Sequence, residues 1–248
     1  MRSPISPETP EDQLSLRLGK PKKLAAGIPA AVSSMKHGVT KMGLVKTVKT
    51  LTMVNQQDGF DCPGCAWPDP EHRTTFEFCE NGAKAVADEA MKAKVTPDFF
   101  SKHSIHSLAM KSDHWLNKQG RISHPVVLEE GESHYKEISW DDAFGRIANQ
   151  IHSLSKPERA VFYTSGRTSN EAAFLYQAFV RSLGTNNMPD CSNMCHESSG
   201  KGLGQTIGIG KGTVTLDDFN SAQVILVIGQ NPGTNHPRML TALRDAKH

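Results

Sequence analysis

The run Ala222-Gln-Val-Ile-Leu-Val-Ile228 is almost continuously apolar, the pattern of a strand buried on both faces rather than one that alternates between core and solvent. Such strands belong to parallel sheets covered by helices, so this segment calls for an α/β domain. Ala160-Val-Phe-Tyr-Thr164 is a second apolar run of strand length. Between the two, Thr168-Ser-Asn-Glu171 has the form of a capping box and predicts a helix with Ala172, Leu175, Tyr176, Phe179 and Leu183 on its apolar face, ended by a left-handed Gly184. After the second run, Gly229-Gln-Asn-Pro-Gly-Thr-Asn-His236 turns the chain, and Pro237 suits the first position of another helix. The order strand, helix, strand, helix predicts a parallel sheet whose ligands bind beyond the carboxyl ends of its strands, where loops 165–170 and 229–236 fall. The sequence reaches Lys247-His248 inside the last helix with two sheet strands laid down, which reads as a truncated domain.

Upstream, Arg121-Ile-Ser-His-Pro125-Val-Val-Leu and Tyr135-Lys-Glu-Ile138 flank Gly131 like a hairpin, and Phe144, Ile147, Ala148 and Ile151 recur at helical spacing in a helix opening at Ser139 or Asp141. We therefore place an α/β domain over residues 115–248. Residues 58–114 form a small cysteine-bearing segment followed by an Ala-rich helix from Gly82. Residues 1–57 hold nine Lys or Arg against three acids, with recurrent Gly, Pro and Ser, and read as an irregular basic extension.

Across the chain 28 Lys and Arg stand against 26 Asp and Glu, a net charge of +2, so no global field calls for nucleic acid as a partner. The apolar runs fall far short of the ~20 residues that span a bilayer, and the start carries neither an apolar signal core nor paired arginines. A soluble, cytoplasmic protein is the expectation.

Five cysteines in an odd arrangement suit metal ligation in a reducing compartment better than a disulfide framework. Cys62-Pro-Gly-Cys65 lets two sulfurs face one metal or cluster, and a redox dithiol is the competing reading. Cys191 and Cys195 form a second pair, and with Cys62 and Cys65 they could make a four-cysteine zinc site in a structural or interaction module. Cys195 beside His196 suits a soft metal ligand with a proton acceptor. As adjacent residues they make a poor nucleophile and base, which disfavours a cysteine hydrolase. The glycines that follow, at 200, 202, 204, 208, 210 and 212, would let backbone approach a bulky ligand.

Five motifs in series then carry a resemblance. They are Ile138-Ser-Trp-Asp-Asp-Ala143, Thr164-Ser-Gly-Arg-Thr-Ser-Asn-Glu171, Leu183-Gly-Thr-Asn-Asn187, Cys191-Ser-Asn-Met-Cys-His-Glu-Ser-Ser199 and Val227-Ile-Gly-Gln-Asn-Pro-Gly-Thr-Asn-His-Pro-Arg238. In this order they resemble the molybdopterin oxidoreductases of the formate dehydrogenase alpha-subunit type, over roughly residues 60 to 248.

The resemblance implies an oxidoreductase with a molybdenum bis(molybdopterin guanine dinucleotide) centre and an N-terminal [4Fe-4S] cluster, acting on formate or a similar small molecule and passing electrons to an acceptor that is not identified. It implies Cys195 as the molybdenum ligand and His196 as the proton acceptor. Gly229, Asn231, Pro232 and His236 would contact one pterin guanine dinucleotide, Asn170 and Glu171 would lie near the other, and Ser198 and Ser199 would donate hydrogen bonds to the pterin. Cys62 and Cys65 match the first two cluster ligands, and Cys79 before Glu-Asn-Gly resembles the last. Asp69 stands where the third cysteine belongs and Asn81 where a lysine belongs, with Lys84 three residues displaced. The implied cluster then has three thiolates, with Asp69 or an exogenous group as fourth ligand. A two-pterin cofactor needs further domains, so residues 1–248 alone are expected to lack molybdenum-dependent activity.

Overall fold

The structure is a computed structural model that describes residues 13, 17, 19, 20 and 26–247, apart from 66, 165–167 and 190–195. It divides into two compact units, one of Met1–Ser139 with Leu216–His248 and the other of Trp140–Thr215.

The first unit opens with helices α1 (Gly27–Met42) and α2 (Leu44–Leu51). This corrects the reading of residues 27–51 as part of an irregular arm. The small residues that looked loop-like are packing positions: α1 buries Ser34, Gly38 and Met42 at four-residue spacing, and a Cβ on Gly38 would lie 2.4 Å from Thr47 Cγ2 of α2. Helix α3 (Glu80–Glu89) packs on α1 and buries Gly82, Ala83, Val86 and Ala87, while Glu80 in its first turn complements the helix dipole. Leu51, Val54, Ala83 and Val86 form the core, and Cys62 and Phe78 pack against it.

Strand β1 (Lys94–Val95) then leads through helices α4 (Pro97–Lys102), α5 (Ile105–Ala109) and α6 (Asp113–Gln119) to strand β2 (Arg121–Ile122), its parallel partner. Strands β3 (Val126–Val127) and β4 (Lys136–Glu137) pair antiparallel, Val126 with Glu137 and Val127 with Lys136. That is the expected hairpin, with Gly131 in its loop at φ +80°.

The second unit carries α7 (Trp140–His152), α8 (Asn170–Ser182) and α9 (Glu197–Ile207). Helices α7 and α8 match the expected periodicity, and Gly184 has the left-handed φ of +87°. The cap of α8 is shifted by one residue: Ser169 Oγ accepts from Ala172 N at 3.3 Å, while Thr168 Oγ1 lies 2.6 Å from Thr164 Oγ1. The first glycines of the Gly-rich stretch lie within α9 and meet no close neighbour at 202 or 204.

The chain returns to the first unit through α10 (Asp218–Ser221), α11 (Pro232–Asn235) and α12 (Met239–Lys247). Pro237 lies in the turn before α12 rather than at its first position. The two apolar runs do not form the expected parallel sheet among the described residues. A strand exists only through the ladder of a neighbour, and among the described residues none pairs with 222–228, where Val224, Leu226 and Ile228 are 76–80% exposed. Among the described residues no helix is long and apolar enough to cross a membrane.

Candidate functional site

The site in the first unit starts from a tight turn after α2. Gly59 approaches Met53 so closely that a Cβ would sit 1.8 Å from the Met53 carbonyl oxygen. Asn55 within this turn is left-handed, at φ 56°, a conformation that Asn tolerates better than most residues. Its buried side chain ties two segments together: Nδ2 donates to the Glu77 carbonyl at 2.6 Å and Oδ1 accepts the Cys62 N–H at 2.8 Å. The first cysteine is thereby anchored to the backbone that precedes the third.

Cys79 is the N-cap of α3, and its Sγ accepts from Gly82 N at 3.4 Å, a thiol in the place of the usual hydroxyl. Cys62 Sγ accepts from Gly64 N, also at 3.4 Å. Cys62, Cys65 and Cys79 are free cysteines that line one cavity of about 30 Å³, together with Asn55, Trp67, Asn81, Gly82, Asn235, Pro237 and Arg238. The absence of a side chain at Gly82 keeps this space open, since a Cβ there would lie 2.8 Å from Cys62 Sγ and 3.8 Å from Cys79 Sγ. Burial pushes the Cys62 thiol up, as do Cys79 and Cys65, while the Gly64 N–H and the charge of Arg238 pull it down. Among the described residues no three His, Cys, Asp or Glu side chains group tightly enough for a single metal ion. The three cysteines border one small space without converging on a single point.

Neither residue that departs from the cluster pattern faces the sulfurs as a free ligand. Asp69 Oδ1 accepts from Arg238 Nη1 at 2.8 Å, and Asn81 Nδ2 donates to the Thr234 carbonyl at 2.6 Å. Lys84 pairs with Glu80 at 2.7 Å. A larger cavity of about 800 Å³ adjoins the first, sharing Cys79, Asn81, Pro237 and Arg238 with it and bordered by Asn231, Gly233 and Thr234.

The remaining candidates divide between the units. Gly229, Asn231, Pro232 and His236 lie in the first unit, Gly229 with φ +67°. His236 packs against Trp67 with ring centroids 5.7 Å apart and planes tilted by 49°, and its buried Nδ1 has no partner among the described residues. Asn170 and Glu171 open α8 in the second unit and are exposed, as are His196, the N-cap of α9, and Ser198 and Ser199 in its first turn. Cys191 and Cys195, which include the expected molybdenum ligand Cys195 and make up half of the alternative four-cysteine zinc site, lie outside the described residues.

Residues 121–248 match the family model described as molybdopterin oxidoreductase. The chain belongs to the molybdopterin oxidoreductase family. An uncharacterized oxidoreductase of Mycobacterium tuberculosis is 56% identical over 237 residues, which is 95% of this chain and 30% of that relative. Protein YdeP of Escherichia coli is 51% identical over 221 residues, covering 89% of this chain and 29% of that protein. A Staphylococcus aureus protein provisionally named formate dehydrogenase is 32% identical over 136 residues, 53% of this chain and 14% of its own. The chain thus spans about 30% of the length of its more similar curated relatives.

Several residues that line this site carried no site role in the sequence, among them Asn55, Trp67, Gly82 and Arg238. Arg238 ended a motif without a role, and its partners are more than 160 positions away in sequence. Asn55 carried one usable signal, an Asn four residues before Gly59 in a turn-like stretch.

Proposed function

We propose that this chain is part of a molybdenum-dependent oxidoreductase of the formate dehydrogenase type. In this reading Cys62, Cys65 and Cys79 hold a [4Fe-4S] cluster, and Cys195 offers its thiolate to a molybdenum bis(molybdopterin guanine dinucleotide) centre. One observation carries it: the cavity bordered by the three cysteines shares a wall with the larger cavity bordered by the 231–234 loop. When bound, these groups supply two-electron oxidation or reduction at molybdenum and single-electron passage through the cluster.

The chain's own residues have definable tasks. The N–H groups of Gly64 and Gly82 donate to the Cys62 and Cys79 sulfurs, and the Gly64 bond favours the charged form of Cys62 against its burial. Gly82 leaves room between Cys62 and Cys79. Gly229, Asn231, Pro232 and His236 would hold one pterin guanine dinucleotide, and Asn170 and Glu171 the other. Ser198 and Ser199 would donate hydrogen bonds to the pterin, and a ring nitrogen of His196 would accept the substrate proton. Formate or a similarly small molecule is the substrate class, in keeping with the name carried by one relative. Three free cysteines fit a reducing, cytoplasmic setting.

The test is elemental analysis with an absorption spectrum on anaerobically purified protein. Iron and sulfide with a broad visible absorption, lost in Cys62→Ser, is the expected result. Molybdenum is expected only in a polypeptide of the relatives' full length, and lost there in Cys195→Ser. Stoichiometric zinc with a featureless spectrum overturns the reading in favour of a zinc-bound structural module. Formate turnover by the 248-residue chain alone would overturn the expectation that this segment is inactive by itself.

A further inference from the structure

We propose that Arg238 is a positioning residue of the cysteine site, one that holds Asp69 out of the ligand set and fastens the 231–238 loop to the cysteine segment. This inference rests on the reading of the cavity as an iron-sulfur site. Its starting point is where the carboxylate oxygens go. Arg238 Nη1 donates to Asp69 Oδ1 at 2.8 Å and Nη2 to Glu77 Oε2 at 2.9 Å. Asp69 Oδ2 faces Arg73 Nη2 at 3.5 Å, and Glu77 Oε1 accepts from Thr74 N at 2.6 Å and Thr74 Oγ1 at 2.8 Å. All four oxygens are therefore engaged. Neither carboxylate lines the cavity, whereas Arg238 does.

The pair is sheltered enough to hold. The side chains of Arg238 and Glu77 are 14% and 10% exposed, so salt and water screen them little. Arginine suits the position because one rigid guanidinium reaches two carboxylates at once, which an ammonium does not do in this geometry. A second tie runs between the same segments, from Asn81 Nδ2 to the Thr234 carbonyl at 2.6 Å. The two positions where the sequence departs from the four-cysteine pattern, Asp69 and Asn81, thus both bind the 234–238 stretch. The substitutions replace a thiolate and a lysine with anchors for the loop. The protein ligands are then the three cysteines, and one iron keeps a place open for an exogenous ligand.

The full chain, reconstituted anaerobically with iron and sulfide and reduced, decides this by iron content and electron paramagnetic resonance. Wild type should bind iron, and Cys62→Ser should lose it more than tenfold. Asp69→Asn keeps an amide oxygen for Arg238 and should retain iron within twofold with unchanged g values. Arg238→Met frees Asp69 and should shift the g values, and the double variant Arg238→Met/Asp69→Asn should restore them, which a merely structural role would not do. Added 2-mercaptoethanol should perturb the wild-type spectrum through the open iron.

Iron loss in Asp69→Asn comparable to that in Cys62→Ser overturns the inference while leaving the cluster reading intact. So does an Arg238→Met spectrum that matches wild type, a double variant that fails to restore it, or indifference to the added thiol. No iron in wild type, or iron retained in Cys62→Ser, overturns the cluster reading and the inference together. Should Arg238→Met fail to fold, Asp69→Asn and the thiol titration decide alone.

Discussion

The side-chain oxygen of Asn55 accepts the Cys62 N–H at 2.8 Å while its nitrogen donates to the Glu77 carbonyl. One buried amide thus spaces two stretches of backbone that carry different cysteines. Asn55→Ala leaves a buried N–H and a buried carbonyl unpaired and is expected to cost about 1–3 kcal/mol. Asn55→Gly loses the same bonds but accepts the left-handed backbone, so it should be less destabilising than alanine by about 1 kcal/mol. Urea unfolding of the two variants measures both quantities, and equal midpoints would refute the backbone part.

Gly82→Ala separates helix propensity from site geometry. Alanine is favoured over glycine inside a helix by about 1 kcal/mol, yet the new Cβ would lie 2.8 Å from Cys62 Sγ. The expected result is a chain that folds but binds less iron than wild type, read by metal analysis beside circular dichroism. Full iron occupancy would show that the sulfurs do not need the space Gly82 leaves.

The Cys62 thiol predicts a pH dependence in the metal-free chain. Burial first, then the neighbouring thiolates, raise it in the folded state above its unfolded value. Its contribution to stability is therefore complete below the ordinary thiol range near pH ~8.5 and lost as pH rises through the folded value. Wild type should lose urea stability between neutral and alkaline pH more steeply than Cys62→Ala, the difference isolating this group. Iodoacetamide should also alkylate Cys62 in the folded chain only at higher pH than in urea. Parallel stability curves for the two proteins would contradict the shift.

The cap of α8 gives a test in the second unit. Ser169→Ala removes the bond to Ala172 N and should cost about 1 kcal/mol. Thr168→Ala, which loses only the contact with Thr164, should cost less. Thermal melts followed by circular dichroism rank the two, and the reverse order would return the cap to Thr168.

Local patterns were legible in the sequence, because helices and hairpins are decided by neighbours a few residues apart. The amphipathic spacing of α7 and α8, the hairpin at Gly131 and the left-handed Gly184 all follow from short-range rules. The cysteine spacing likewise pointed to a shared site for Cys62 and Cys65, and the serial motifs pointed to the family. Two expectations failed for one physical reason. Gly38 and Ser34 looked like loop residues until α1 and α2 were packed together, and the 222–228 run looked like a buried strand although a strand needs neighbours that sequence cannot supply. What only the tertiary structure decided was the partnership of distant residues. Arg238 meets Asp69 across 169 positions and Asn81 meets Thr234 across 153. No periodicity encodes such pairs, because they form only when the core of Leu51, Val54, Ala83 and Val86 and the return of the chain through α10 to α12 bring those segments together.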